Sequence, residues 1–163
     1  IDKKVEKSLL DEMLSAANLA PSWKNSQTPR FYVATGEKSK NAVREALPEF
    51  NRKNSENASA YIVTTVVLNR SGFDKDGTAV TEIGNGWGYY DLGLNNMALL
   101  LKATELGIST LVMGIRDGEK LRKEFDIPET EAVVSVIAVG YTDSEIVRPK
   151  RKSVEDFAKF YED

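Results

Sequence analysis

Between Trp87 and Leu106 the apolar residues fall on two sides of one helical projection, with Leu94, Met97, Ala98 and Leu101 on one and Leu92, Leu99, Ala103 and Leu106 on the other. A helix that is apolar on both sides has to be covered on both sides, so it belongs at the centre of the fold or in a subunit interface. Gly107 follows at the position where a helix commonly ends in a left-handed residue. Whatever else the chain builds must therefore pack around this segment.

The flanking elements follow from periodicity and punctuation. Leu9, Leu10, Met13, Leu14, Ala17 and Ala20 recur at helical spacing and predict an amphipathic helix from about Glu6 to Ala20, where Pro21 stops it. Arg30 to Thr35 and Ala60 to Leu68 read as strands, the second apolar enough for the middle of a sheet. Glu37 to Leu47 reads as a helix, and the polar stretch Asn51 to Asn57 as a loop or a frayed helix end. Ile108 to Met113 and Ala132 to Val139 are further strands around a short helix, Asp117 to Phe125, with Asp117 as a plausible N-cap. A last helix is expected over Val154 to Tyr161. The connection Asn69 to Gly86 is long for a compact domain, the kind of segment that is often a functional lid or disordered. No repeat and no linker divides the 163 residues, a length suited to one domain with a sizeable core. Periodicity alone permits either a doubly wound α/β sheet or an α+β sheet with packed helices.

Composition removes several classes of chemistry. Cysteine and histidine are both absent, which excludes disulfide frameworks, thiolate nucleophiles, Ser-His relays and the usual zinc sites. A catalyst made from the remaining residues must use carboxylates, Lys, Tyr or Ser, or bind a cofactor that supplies the chemistry. With 22 basic and 25 acidic residues the net charge is -3, so a nucleic-acid partner is not expected. No window approaches the length of an apolar membrane span and no signal segment opens the chain, which reads as soluble and cytoplasmic. A Rossmann fingerprint is also missing: Gly84, Gly86 and Gly88 precede the long helix, but no strand leads into them and the third glycine is misplaced.

The segment Ala20-Pro21-Ser22-Trp23-Lys24-Asn25-Ser26-Gln27 carries more information. Pro21 ends a helix and exposes a run of small and amide residues whose backbone and side-chain groups are free to bind. It resembles the Ala-Pro-Ser-x-x-Asn-x-Gln element of the FMN-dependent nitroreductase-like flavoproteins, with an aromatic strand following at Phe31 and Tyr32. Further matches come in order: Asn57-Ala58-Ser59-Ala60, Tyr90-Asp91-Leu92-Gly93, Glu105 to Thr110, Met113-Gly114, Ile127-Pro128-Glu129, Val136 to Tyr141, and Arg148-Pro149-Lys150-Arg151-Lys152. Together they cover nearly the whole chain.

The resemblance implies an α+β nitroreductase-like fold, a single flavin-binding domain over residues 1-163 with a central, mostly antiparallel sheet flanked by helices and the long helix in a dimer interface. It implies FMN as cofactor, touched by Pro21, Ser22, Asn25 and Gln27, by Asn51 at the pyrimidine edge, and by the Met113-Gly114 backbone near N5. Lys150 and Arg151 would hold the phosphate, as guanidinium and ammonium groups suit a phosphate dianion. It further implies hydride transfer from NAD(P)H to a small acceptor such as a nitroaromatic or quinone in a ping-pong cycle. No residue need act as acid or base, and no metal is involved. The Pro21 segment would act on the partner's flavin, making each site of the homodimer a shared one. One departure stands out: the family's N-terminal Arg-Arg-Ser-x-Arg element, which also holds the phosphate, would lie before Ile1. If that element is truly missing, the alternative is a non-catalytic flavin-binding or sensing module of the same fold.

Overall fold

The computed structural model describes residues 1–162. Helix α1 spans Lys7–Asn18, a short 3-10 turn follows at Trp23–Asn25, and strand β1 covers Pro29–Ala34. Helices α2 (Glu37–Glu45) and α3 (Glu49–Asn54) lead to β2 (Ala60–Val67). The long helix α4 (Gly86–Glu105), β3 (Ser109–Met113), α5 (Gly118–Glu124), β4 (Glu131–Gly140) and α6 (Val154–Phe157) complete the order.

The four strands form one sheet in the order β1-β2-β4-β3, with every neighbouring pair antiparallel. This resolves the choice that periodicity left open in favour of α+β. The apolar strand β2 lies inside the sheet, as its unbroken burial requires. Alternate residues of β2 feed two cores. Tyr61 and Val63 join Val43, Leu47 and Leu121 under α2 and α5, whereas Ala60 and Ile62 join Leu10, Met13, Leu99 and Ala103 under α1 and α4. Helices therefore cover both faces, which gives three layers.

Along β4 the facing alternation would fail but for a bulge. Pairing steps from Thr64↔Ser135 to Thr65↔Val133, so Val134 is an extra residue. Val133 is thereby returned to the same core as Val136 and Ala138, and the first residues of β4 keep a defined direction.

The long helix behaves as its sequence demands on one side only. Asp91, Leu92, Asn95, Leu99 and Ala103 are buried against the sheet and α1. On the other side Tyr90, Met97 and Leu101 are 60%, 52% and 58% exposed. Two expectations change. Asn51 lies inside a formed helix, α3, because Pro48 starts it with an extended residue and Arg52 donates to the carbonyls of Arg44 in α2 and of Leu47 in the link that follows. The last helix stops at Phe157 instead of Tyr161, since Ala158 turns back to extended backbone (φ -122, ψ 144).

Candidate functional site

The C-terminal ends of β2 and β3 and the N-terminal ends of β1 and β4 lie at one end of the sheet. Three groups of residues gather there. The first is the turn between α1 and β1. Lys24, Asn25 and Gln27 all have positive φ (45, 55 and 48), a conformation that of these three only Asn adopts readily. The turn is held from within by Ser22 Oγ, which accepts from the Gln27 N–H at 3.0 Å. It is held from outside by Asp91, whose two carboxylate oxygens accept from the Trp23 N–H at 3.2 and 3.1 Å. Three of its polar atoms are buried with no protein partner: Trp23 Nε1, Ser26 Oγ and Thr28 Oγ1. Buried polar atoms without a partner are uncommon in folded chains, and such a set suits water or a polar ligand.

The second group surrounds the end of β3. Asn51 on α3 donates its side-chain amide to the Ile115 carbonyl at 3.2 Å, so the structure does bring Asn51 to the Met113-Gly114 segment. Gly114 and Ile115 are exposed. A Cβ built on Gly114 meets nothing within 4 Å, so packing does not demand a glycine there. What the position offers is bare main chain at the open edge of the sheet, accessible to a flat ligand.

The third group is polar and buried on the α2/α5 side. Glu131, at the start of β4, accepts from Tyr32 Oη at 2.9 Å and from Thr65 Oγ1 at 2.5 Å. Arg122 donates to the backbone carbonyls of Pro128 and Glu131 at 2.6 and 2.9 Å. Burial, the hydrogen bond to Glu131 and its negative charge push the Tyr32 phenol up to about 12. This group fixes the strand ends and faces the protein interior.

The long connection between β2 and α4 is a closed loop. Its ends are joined by two contacts, Asn69 N–H to Asn85 Oδ1 at 2.7 Å and Asn85 Nδ2 to Asn69 Oδ1 at 2.9 Å. Ser71 Oγ donates to Asp91 at 2.5 Å. Gly72, at φ +84, lies so close to Trp87 that a Cβ would stand 2.7 Å from its ring. The loop also meets the turn directly: the Trp23 and Trp87 rings lie 4.7 Å apart, and Lys24 pairs with Asp74 at 3.3 Å.

Not all the expected residues converge. Pro21 to Gln27 adjoin β1, and Met113-Gly114 ends β3, at opposite edges of the sheet. Three strand spacings separate them, roughly 14 Å. Lys150 and Arg151 sit on the exposed chain after β4, which leaves from the other end of the sheet; Arg151 donates to the Pro149 carbonyl at 3.3 Å. Ser71 was not singled out from sequence, and Asp91 entered only as part of the Tyr90-Asp91-Leu92-Gly93 match, with no role of its own. The available signal was a carboxylate on the buried side of a mostly apolar helix, a placement that needs partners.

The Nitroreductase family model matches residues 2–141, and the chain belongs to that family. Among solved structures, the fold is similar to a nitroreductase family protein from Streptococcus pneumoniae at 22% identity and a TM-score of 0.83, covering 99% of this chain and 92% of that one. It is also similar to one from Clostridium difficile at 23% identity and a TM-score of 0.78, covering 98% and 89%. An oxidoreductase containing FMN matches at 25% identity and a TM-score of 0.75, over 88% of this chain and 70% of its own. No curated protein matches. Family membership supports a flavin oxidoreductase in general, and among the described residues no helix is long and apolar enough to cross a membrane.

Proposed function

We propose that two copies of this chain form an FMN-dependent oxidoreductase that passes reducing equivalents from NAD(P)H to a small acceptor such as a nitroaromatic or quinone. The observation that carries the reading is the division of the site. The Asn51, Met113 and Gly114 half and the Pro21 to Gln27 half share one end of the sheet but stand at its two edges. A second copy brings the missing half to each. The exposed apolar side of α4, with Tyr90, Met97 and Leu101, is the surface such a copy would cover.

The donor set suits the cofactor. Main chain at Gly114 and the Asn51 amide offer hydrogen bonds to a ring edge, while Ser22, Asn25 and Gln27 offer hydroxyl and amide groups from the partner. Lys150 and Arg151 are the cations offered for a phosphate, although the chain that carries them leaves from the other end of the sheet. FMN, when bound, supplies the redox chemistry by exchanging hydride at N5. The protein binds and orients; donor and acceptor use one pocket in turn, which makes the order ping-pong. The aromatic pair Trp23 and Trp87, tilted at 48° to each other, borders the turn and provides apolar surface for the second substrate.

Anaerobic titration of the FMN-loaded protein tests this. NADH or NADPH should bleach the flavin absorbance and menadione or nitrofurazone should restore it. Flavin that is bound but bleached by neither nucleotide identifies instead a binding or sensing module.

A further inference from the structure

We propose that Asp91 is the positioning residue of the flavin turn, fixing Pro21 to Gln27 and the Asn69 to Asn85 loop as one unit on the long helix. The inference rests on the FMN reading for its functional consequence. Its structural part stands alone.

Asp91 is 2% exposed and takes part in no ion pair among the described residues. A buried carboxylate without a cation depends on hydrogen bonds to stay in place. Here all of them come from two loops that are far apart in sequence: the Trp23 N–H on one side and the Ser71 hydroxyl on the other. Asn95, one turn later, ties its amide to the Asp91 carbonyl at 3.1 Å, stiffening the helix at this point. The first half of the turn has little else to fix it from outside. The turn carries three residues at positive φ and three buried polar atoms without partners. Its remaining external contacts are the Trp87 ring, the exposed Lys24–Asp74 pair, which contributes little in water, and, at the end that enters β1, the Arg30 guanidinium donating to the Gln27 carbonyl at 2.7 Å and the Val67 N–H donating to the Thr28 carbonyl at 3.0 Å. One carboxylate on a rigid helix thus fixes the start of the turn, where Ser22 and Asn25 stand, while β1 holds its far end at Gln27.

The test uses Asp91→Ala and the isosteric Asp91→Asn, which keeps an acceptor for Trp23. Three quantities are read: the near-ultraviolet circular dichroism of the Trp23 and Trp87 pair without cofactor, the FMN dissociation constant from flavin fluorescence, and Tm. Asp91→Ala should lose the tryptophan signal and weaken FMN by about tenfold or more, while Asp91→Asn stays within about threefold of the native protein. Val139→Ala, a core variant at the opposite end of the sheet, supplies the control for lowered stability. The proposal is overturned if Val139→Ala weakens FMN as much at an equal loss of Tm, or if Asp91→Ala leaves both readouts unchanged. Should Asp91→Ala fail to fold, hydrogen exchange of the native protein decides, because the Trp23 amide must be protected despite its place in a surface turn. Native protein that takes up no FMN overturns the flavin reading, while the dichroism and exchange still judge the anchoring.

Discussion

Replacing Gly88 with alanine probes how closely the long helix is seated on the sheet at the functional end. A Cβ there would stand 2.8 Å from Val66 Cγ2, about 1 Å inside ordinary carbon contact. Val66 is 1% exposed and sits on a strand paired on both sides, with Pro29 and Ala132, so its backbone cannot retreat. Either Val66 leaves its rotamer or the first turns of α4 lift. Overpacking of this kind costs about 1–3 kcal/mol. Alanine's better helix propensity returns about 1 kcal/mol. The net expectation is a loss of roughly 0–2 kcal/mol, which alone would be hard to interpret, so the decisive quantity is the coupling with Val66→Ala. Removing the Val66 methyls costs about 2 kcal/mol by itself but abolishes the clash. The double variant should therefore be about 1–3 kcal/mol more stable than the sum of the single changes implies. Urea unfolding at one fixed protomer concentration measures all four proteins on the same footing. A Gly88→Ala protein about 1 kcal/mol more stable than native, with an additive cycle, would refute the seating and with it the fixed height of Asp91 above the turn.

Other expectations follow from the same geometry. The Tyr32 phenol holds its proton more tightly folded than unfolded, with its value raised from 10.0 to about 12, so its contribution to stability is complete below the unfolded value and is lost as pH rises through the folded one. Tyr32→Phe should flatten the alkaline fall in stability over that window, and an unchanged slope in alkaline urea titrations would count against the Tyr32–Glu131 contact. Asn51→Ala should weaken FMN by about tenfold while Tm, read by differential scanning calorimetry, moves by only a few degrees. Lys150→Ala with Arg151→Ala should weaken FMN but leave the affinity for phosphate-free lumiflavin as it was; equal losses for both ligands would remove these residues from the phosphate site.

Much of the fold is legible in the sequence because its signals are local. α1 stops at Asn18, just before Pro21, Gly107 (φ 69) closes α4, and Asp117 caps α5 through the Lys120 N–H at 3.0 Å. The two-sided pattern of α4 is equally local, and one of its sides is buried as the pattern requires. Strand order is not local: β2 pairs with β4 across the whole length of α4, and periodicity cannot choose that partner over a parallel arrangement. The bulge at Val134 is invisible for the same reason. So is the closed form of the Asn69 to Asn85 loop, which depends on two amides meeting across sixteen positions and on Ser71 reaching Asp91. At the site, the resemblance led to residues that could touch a flavin, and the structure joins Asn51 to the β3 end. The resemblance included Asp91 in the matched Tyr90-Asp91-Leu92-Gly93 run but gave it no role, since a residue that acts by holding a neighbour's backbone makes no contact of its own with a ligand.

The central claim is that one flavin site is built from two copies of the chain, and sedimentation velocity followed in the flavin absorption band tests it most directly. The flavin should travel with a species of twice the 18.1 kDa chain mass and dissociate as dilution separates the copies. Flavin moving with the single chain, stably bound, would contradict it.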